Sequence, residues 1–315
     1  MTWFVLRRLG IFLLTLFVAS IAIFLVISIL PGDPAQAILG TQATPESLEA
    51  LRRELGLDAP LWSRYLRWIG GAVTGDLGTS VISKVPVAPE IADRLLVTVP
   101  LAALGMAIAL GAALPLGLLA AARHRRLEGT AVALLSQLGI AVPAFWVGIL
   151  LITLFAVRLG WLPSGGFVPW QESVGGAIRS LILPACSLAL VQGAILTRYV
   201  RSAVLEVMRE DFIRTARAKG LSARRTLWRH ALPNAAIPVV TILGLQFAYL
   251  LAGAVVIENV FFLPGLGRMV LQAIGNSDLV AVQAITLTLT AIVLAVNFLT
   301  DVSYRFLDPR LRTES

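Results

Sequence analysis

The stretch DFIRTARAKGLSARRTLWRHALP, Asp211–Pro233, is the one long, strongly charged interruption in the second half of a very apolar chain. It carries Arg214, Arg217, Lys219, Arg224, Arg225 and Arg229, with Asp211 as its only acid. Helical spacing sets Phe212, Ile213 and Ala216 on one side of Asp211–Lys219 and turns Arg214, Arg217 and Lys219 away. Gly220 suits the left-handed backbone that closes a helix. Ser222 is a natural N-cap for a second helix, Ala223 to about Leu232, and Pro233 marks the start of the next apolar run. A helix–glycine–helix hairpin holds two rigid rods at an angle, so a push on the first reaches whatever follows the second. The plainer reading is an amphipathic hairpin lying on anionic lipid.

The rest of the chain says where this hairpin lies. Of 315 residues, 57% are apolar and only 14% charged, whereas a soluble domain averages under half apolar and about a quarter charged. Five uncharged runs reach the roughly 20 residues that cross a bilayer: Leu9–Leu30, Leu95–Ala122, Gly129–Val157, Ala231–Ile257 and Leu279–Thr300. A sixth, Ser180–Thr197, falls just short and is expected to extend past Arg198. The first run is too long for a signal-peptide core, so it is expected to stay as a span. The expected fold class is therefore all-α, a polytopic membrane protein with six transmembrane helices.

Charge orients it. Arg7 and Arg8 precede the first run, Arg123, Arg125 and Arg126 fill the turn after the second, and Arg305, Arg310 and Arg312 follow the last. Residues 198–229 hold nine basic and three acidic groups, whereas residues 31–93 hold five basic and eight acidic. With six spans all the positive regions share one face, so both termini and the Asp211–Pro233 hairpin are expected to be cytoplasmic. The net charge of +8 is thus read as topology, not as a nucleic-acid site.

After the first span, LPGDP at Leu30–Pro34 stops the helix. In the external region that follows, Thr44 and Pro45 read as N-cap and first helical position, with Leu48, Leu51 and Leu55 at helical spacing and Gly56 ending the helix. Asp58 and Pro60 open a second amphipathic helix whose Trp62, Tyr65 and Trp68 suit the headgroup layer. This region is either a cap over the span ends or a docking surface. Pro143 lies inside the third run, as a packing kink or a gate. Glu258–Asp278, with the PGLG turn Pro264–Gly267, reads as a half-buried external scoop.

Chemistry is as informative by its absence. The two lysines, Lys84 and Lys219, follow Ser83 and Ala218, so no ATP-binding glycine–lysine loop is present. The single cysteine, Cys186, and two histidines, His124 and His230, form no cysteine zinc site, no CxxC and no HExxH. No catalytic or metal-ligating residue is expected. Glu258 and Asp301, near span ends, are candidates for the transport pathway, with a structural role equally open.

The Asp211–Pro233 stretch resembles the cytoplasmic EAA loop of ABC importer permeases, whose pattern is EAA, three residues, Gly, nine residues, I-x-L-P. Arg214, Thr215 and Ala216 stand at EAA, Gly220 keeps its place, and Leu232-Pro233 match; Arg214, Thr215 and His230 depart. The variant RTARAKGLS is similar to the dipeptide/oligopeptide/nickel permease family. So are FVLRRLG, LPGDP, LGLDAPLWSRYLRW, GDLGTS, VPAFWVGILL, FAVRLGWLP, RHALPNAAIPVVTILG, VIENVFFLPGLGRM and LDPR, in that order along nearly the whole chain. LPGDP and the external region resemble the first of that family's two paired permeases.

The resemblance implies a type I ABC importer permease fold in a bacterial or archaeal cytoplasmic membrane. Residues 1–94 would form the first span and external region, 95–307 the permease core with its loop at 201–233, and 308–315 a tail. It implies a heterodimer with a second permease, two cytoplasmic ATP-binding subunits and an external binding protein. ATP and Mg would bind those ATPase subunits; this chain would bind no cofactor and is not itself an enzyme. Asp211, Phe212, Arg214, Thr215, Ala216, Arg217, Ala218, Lys219, Gly220 and Leu221 would couple it to an ATPase. Pro143, Glu258, Pro264, Gly265 and Asp301 are candidate pathway or gate positions. The cargo is expected to be di- or oligopeptides, with nickel complexes as the alternative, since no His, Cys or Met cluster falls in the spans. A secondary transporter would need intramembrane ionisable groups or discontinuous helices in paired halves, and neither is evident in the sequence. A membrane scaffold would leave the EAA-like loop unexplained.

Overall fold

A chain this apolar must satisfy its backbone hydrogen bonds internally wherever lipid surrounds it, and helices do so locally. The computed structural model describes residues 2–29, 34–39, 43–54 and 56–307. Among them there is no strand, only an isolated bridge between Thr79 and Pro86. The elements in order are α1 (Thr2–Ile29), α2 (Pro34–Leu39), α3 (Pro45–Glu54), α4 (Leu61–Thr74), α5 (Val87–Ala122), α6 (Leu127–Ala141) and α7 (Ala144–Leu151), which continues as a π-helical segment, Ile152–Arg158. Then come α8 (Val174–Val207), α9 (Asp211–Ala218), α10 (Ala223–Thr226), a π-helical turn Leu227–Ala231, α11 (Leu232–Val260), α12 (Leu266–Gly275) and α13 (Leu279–Leu307). Residues 30–33 of LPGDP, Leu55, and the LDPR and tail residues beyond Leu307, Arg310 and Arg312 with them, lie outside the described residues.

Among the described residues, five helices are long and apolar enough to cross a membrane: Trp3–Ile29, Val87–Ala122, Val174–Val207, Ala223–Val260 and Leu279–Ser303. The third apolar run, Gly129–Val157, is broken where a kink at Pro143 was expected. It is a helix pair, Leu127–Ala141 and Ala144–Arg158, bent by 98°. The bend has a local cause. Pro143 lacks an N–H and disfavours helical backbone in the residue before it, and Val142 is extended, at φ −87° and ψ 125°. The chain therefore does contain a discontinuous apolar helix.

The chain divides into two compact units, Met1–Val97 with Pro264–Ala295, and Thr98–Leu263 with Val296–Ser315. In the first, Val87, Ile91, Leu266, Met269, Ala273, Ala281 and Ile285 make a core. The Thr44 hydroxyl caps α3, accepting from the Ser47 amide at 3.2 Å, as the Thr44-Pro45 pair predicts. Tyr65 and Trp68 each turn one side to α1. Tyr65 stands edge-on to Phe24 of α1 at 5.5 Å between ring centroids, and its hydroxyl pairs with the Ser20 hydroxyl at 2.9 Å. Ser20 is buried; its hydroxyl donates to the Phe17 carbonyl at 2.7 Å, which leaves its oxygen to accept from Tyr65. Trp62 is the ring of the three that stays outward.

The second unit is built around α8, the expected short span, which proves the longest reach of buried helix in the unit. Its N-terminus is capped by Ser173, whose hydroxyl accepts from the Gly176 amide at 3.0 Å. Its inward face alternates small residues, Ala177, Ser180, Ala185, Ser187, Ala189 and Gly193, with the buried Leu181, Leu183, Leu188 and Leu196. Small residues let helices in lipid approach closely, where dispersion and not water exclusion holds them. At Gly117 of α5 the approach is closest, for a Cβ there would lie 2.6 Å from Val200.

Candidate functional site

The hairpin forms as its residues dictate. α9 starts at Asp211, whose carboxylate favours the positive helix end and accepts from Arg214 at 3.2 Å. Ile213 is 1% exposed and Ala216 is buried. Arg214, Thr215, Arg217, Ala218 and Lys219 all face outward. Phe212, expected on the buried side, is 43% exposed. At one position from Ile213 it lies about 100° around the helix, so the narrow buried face takes Ile213 and Ala216 alone. The helix ends where Gly220 turns left-handed, at φ +88°, and the Leu221 amide reaches back to the Ala216 carbonyl at 3.3 Å. Ser222 then caps the next helix, accepting from the Arg225 amide at 3.4 Å.

That next helix does not stop at Pro233. From Ala223 it runs on to Val260 as one rod, with α10, the π-helical turn and α11 continuous. Pro233 sits in the first turn of α11. The buried side of α9 docks on three long helices. Ile213 shares a core with Leu118 and Ala121 of α5, Val200, Ala203 and Val204 of α8, and Leu227, Ala231, Ala235 and Val239 of the Ala223–Val260 rod. Burying such a side chain stabilises by about 1.5–3 kcal/mol. An apolar peg into three helices, with a cationic outer face, can carry displacement from outside the chain into its spans.

The pathway candidates scatter. Glu258, in the last turn of α11, is fully buried and accepts a hydrogen bond from the Thr98 hydroxyl of α5 at 2.6 Å. The sequence pointed to Glu258 but not to its partner, 160 positions away. Asp301 is half-buried in α13. It lies next to Thr300, which faces Gly244, fourteen residues or about 21 Å along α11 from Glu258. The two acids therefore do not form one site. Pro143 stands at the α6–α7 break, and Pro264 and Gly265 lead into α12, with Gly265 as its N-cap.

A further carboxylate escaped the sequence reading. Asp278 is buried and caps α13, accepting from the Ala281 amide at 3.2 Å. It also accepts from the Ser80 hydroxyl, which pins the end of GDLGTS. Its only sequence signal was an Asn-Ser-Asp cap ahead of an apolar run.

Comparison with known proteins supplies the class to which these helices belong. Solved structures show the same fold. The inward facing MetNI methionine ABC transporter matches with a TM-score of 0.58 at 19% identity, over 70% of this chain and 96% of that one. An amino acid ABC transporter with histidines matches at 0.53 and 16%, over 69% and 94%. The chain belongs to the family described as "Binding-protein-dependent transport system inner membrane component", whose model matches residues 113–313, while the model of the N-terminal part of such membrane components matches residues 1–102. A Brucella abortus (strain 2308) protein, provisionally named a peptide transport system permease protein, is 45% identical over 99% of both chains. The glutathione transport system permease protein GsiC of Escherichia coli (strain K12) is 39% identical over 98% of both. The chain is thus a multi-pass inner-membrane permease subunit of the peptide/oligopeptide importer family.

Proposed function

We propose that this chain is one half of a heterodimeric pore that carries di- or oligopeptides into the cell, driven by ATP hydrolysed on two separate cytosolic subunits. An external binding protein delivers the cargo. The carrying observation is the split character of α9, with Ile213 rooted in three long helices and Arg214, Arg217 and Lys219 facing out. The residues 211–221 form the coupling helix, seated against one ATPase. Closure of the ATPase pair moves it, and the continuous rod Ala223–Val260 carries the movement into the bundle. The ATP-bound pair must favour one pore state over the other, or nothing is coupled.

Arg7 and Arg8, the Arg123–Arg126 turn and the hairpin support a cytoplasmic placement for that face and for both termini. The break at Pro143 supports it as a gate position, while the complete burial of Glu258 against Thr98 favours the structural role over the pathway one. The names of the relatives support a peptide cargo, and nickel complexes are the alternative. The test is ATP-dependent uptake of labelled dipeptide, and separately of nickel, in proteoliposomes holding the chain with its partners. Co-purification of two P-loop proteins and peptide uptake are expected. Uptake by the chain alone, without an ATPase, refutes the reading.

A further inference from the structure

Beside the C-terminal end of α1, within the first unit, is a cavity of about 700 Å³. Arg52, Arg64 and Arg67 line it, together with the carboxylates Asp58 and Asp76. Asp76 is already engaged, accepting from the Gly78 amide at 2.9 Å. Arg64 and Arg67 stand one turn apart on α4, where like charges repel. Burial first, and Arg67 second, push the Arg64 guanidinium below its ordinary range. An arginine does not shed its proton in a protein, so a counter-anion is what relieves the pair.

Two further groups in the cavity wall have no partner. The Nε1 of Trp68 and the Oγ of Ser28 are both buried without a hydrogen bond. An indole N–H can only donate, and buried polar groups are as a rule satisfied, so Trp68 calls for an acceptor. Adjacent guanidinium groups and a waiting N–H in one concavity suit a ligand with several anionic oxygens. Two of the helices that line the cavity, α1 and α4, also carry exposed apolar side chains. Trp62, Leu66 and Val73 of α4, and Leu25, Val26 and Ile29 of α1, are exposed. An amphipathic helix with such a face lies at the headgroup level of a bilayer.

We infer that this cavity binds a phosphate-type oxyanion through Arg64, Arg67 and the Trp68 Nε1, and that the exposed apolar side chains of α1 and α4 favour the phosphodiester of an anionic phospholipid as its source. The test uses the full-length chain, purified and delipidated in detergent. Binding of phosphatidylglycerol, phosphatidylcholine and inorganic phosphate is measured by native mass spectrometry and by the shift in unfolding midpoint. Phosphatidylglycerol is expected to bind at least tenfold tighter than phosphatidylcholine. Arg64→Gln with Arg67→Gln should abolish the difference. Trp68→Phe, which keeps the ring against Phe24 but removes the donor, should weaken binding by about tenfold. Protection by inorganic phosphate alone, lost in the same variants, would identify a soluble phosphate as the source and sustain the site. Absence of binding by every probe, or binding unchanged in both the arginine pair and Trp68→Phe, overturns it.

Discussion

Replacing Gly220 by valine isolates the bend of the hairpin from everything around it. A Cβ at Gly220 would meet no atom within 4 Å, so the substitution creates no clash with neighbouring helices. The whole cost is in the backbone, which sits at φ +88°. A non-glycine residue there costs about 1–3 kcal/mol, with a β-branched one at the upper end. At about 2 kcal/mol the native bend loses a factor of roughly 30 against its alternatives. The angle between α9 and the Ala223–Val260 rod then relaxes, while Ile213 can still fill its socket. The expected result is normal membrane insertion and yield, with ATP-driven uptake reduced at least tenfold and ATPase activity no longer raised by cargo-loaded binding protein. Gly220→Asn, which tolerates left-handed backbone, should fall between. Wild-type uptake and wild-type ATPase stimulation in Gly220→Val would refute a coupling role for this bend.

Three further outcomes follow from the geometry. Thr98→Val leaves the buried Glu258 carboxylate without its 2.6 Å donor and should destabilise by about 1–3 kcal/mol; Thr98→Ser should restore most of the unfolding midpoint, and equal midpoints for all three would discount the bond. Asp278→Ala removes the cap of α13 and the hold on Ser80, a loss of at least about 1 kcal/mol, and should speed limited proteolysis within residues 78–85. Reversing Arg217 and Lys219 to glutamate, both exposed, should reduce co-purification of the ATPase subunits without altering the unfolding midpoint. Salt near 1 M, where the Debye length falls to about 3 Å, should mimic the reversal in the unaltered chain, and unchanged co-purification in both cases would count against docking by charge.

Much of the fold could be read directly from the chain because the deciding signals are local. Uncharged length makes the spans, Thr44 and Ser222 start helices where a cap was expected, and Gly220 turns where only glycine is at ease. What escaped depends on partners far away in sequence. Phe212 and Ile213 are equally apolar, and only the positions of α5, α8 and α11 select Ile213 for burial. That the Tyr65 hydroxyl meets Ser20 of α1, 45 positions earlier, could not be read from either residue alone. Glu258 and Asp301 looked alike at two span ends, yet Asp301 follows Thr300, which faces Gly244, about 21 Å along α11 from Glu258.

The sequence by itself determined that this chain lives in a membrane, that its two lysines form no glycine–lysine ATP-binding loop, and that Asp211–Pro233 is a pair of helices broken at Gly220. Those conclusions rest on hydropathy, residue census and backbone preference, which need no neighbours. Only the tertiary structure decided that the second rod of the hairpin is continuous with α11 and that Ile213 is its peg. It also turned the third apolar run through 98° at Pro143. The physical reason is that burial and bending are settled by which surfaces meet, and that is a property of the folded bundle.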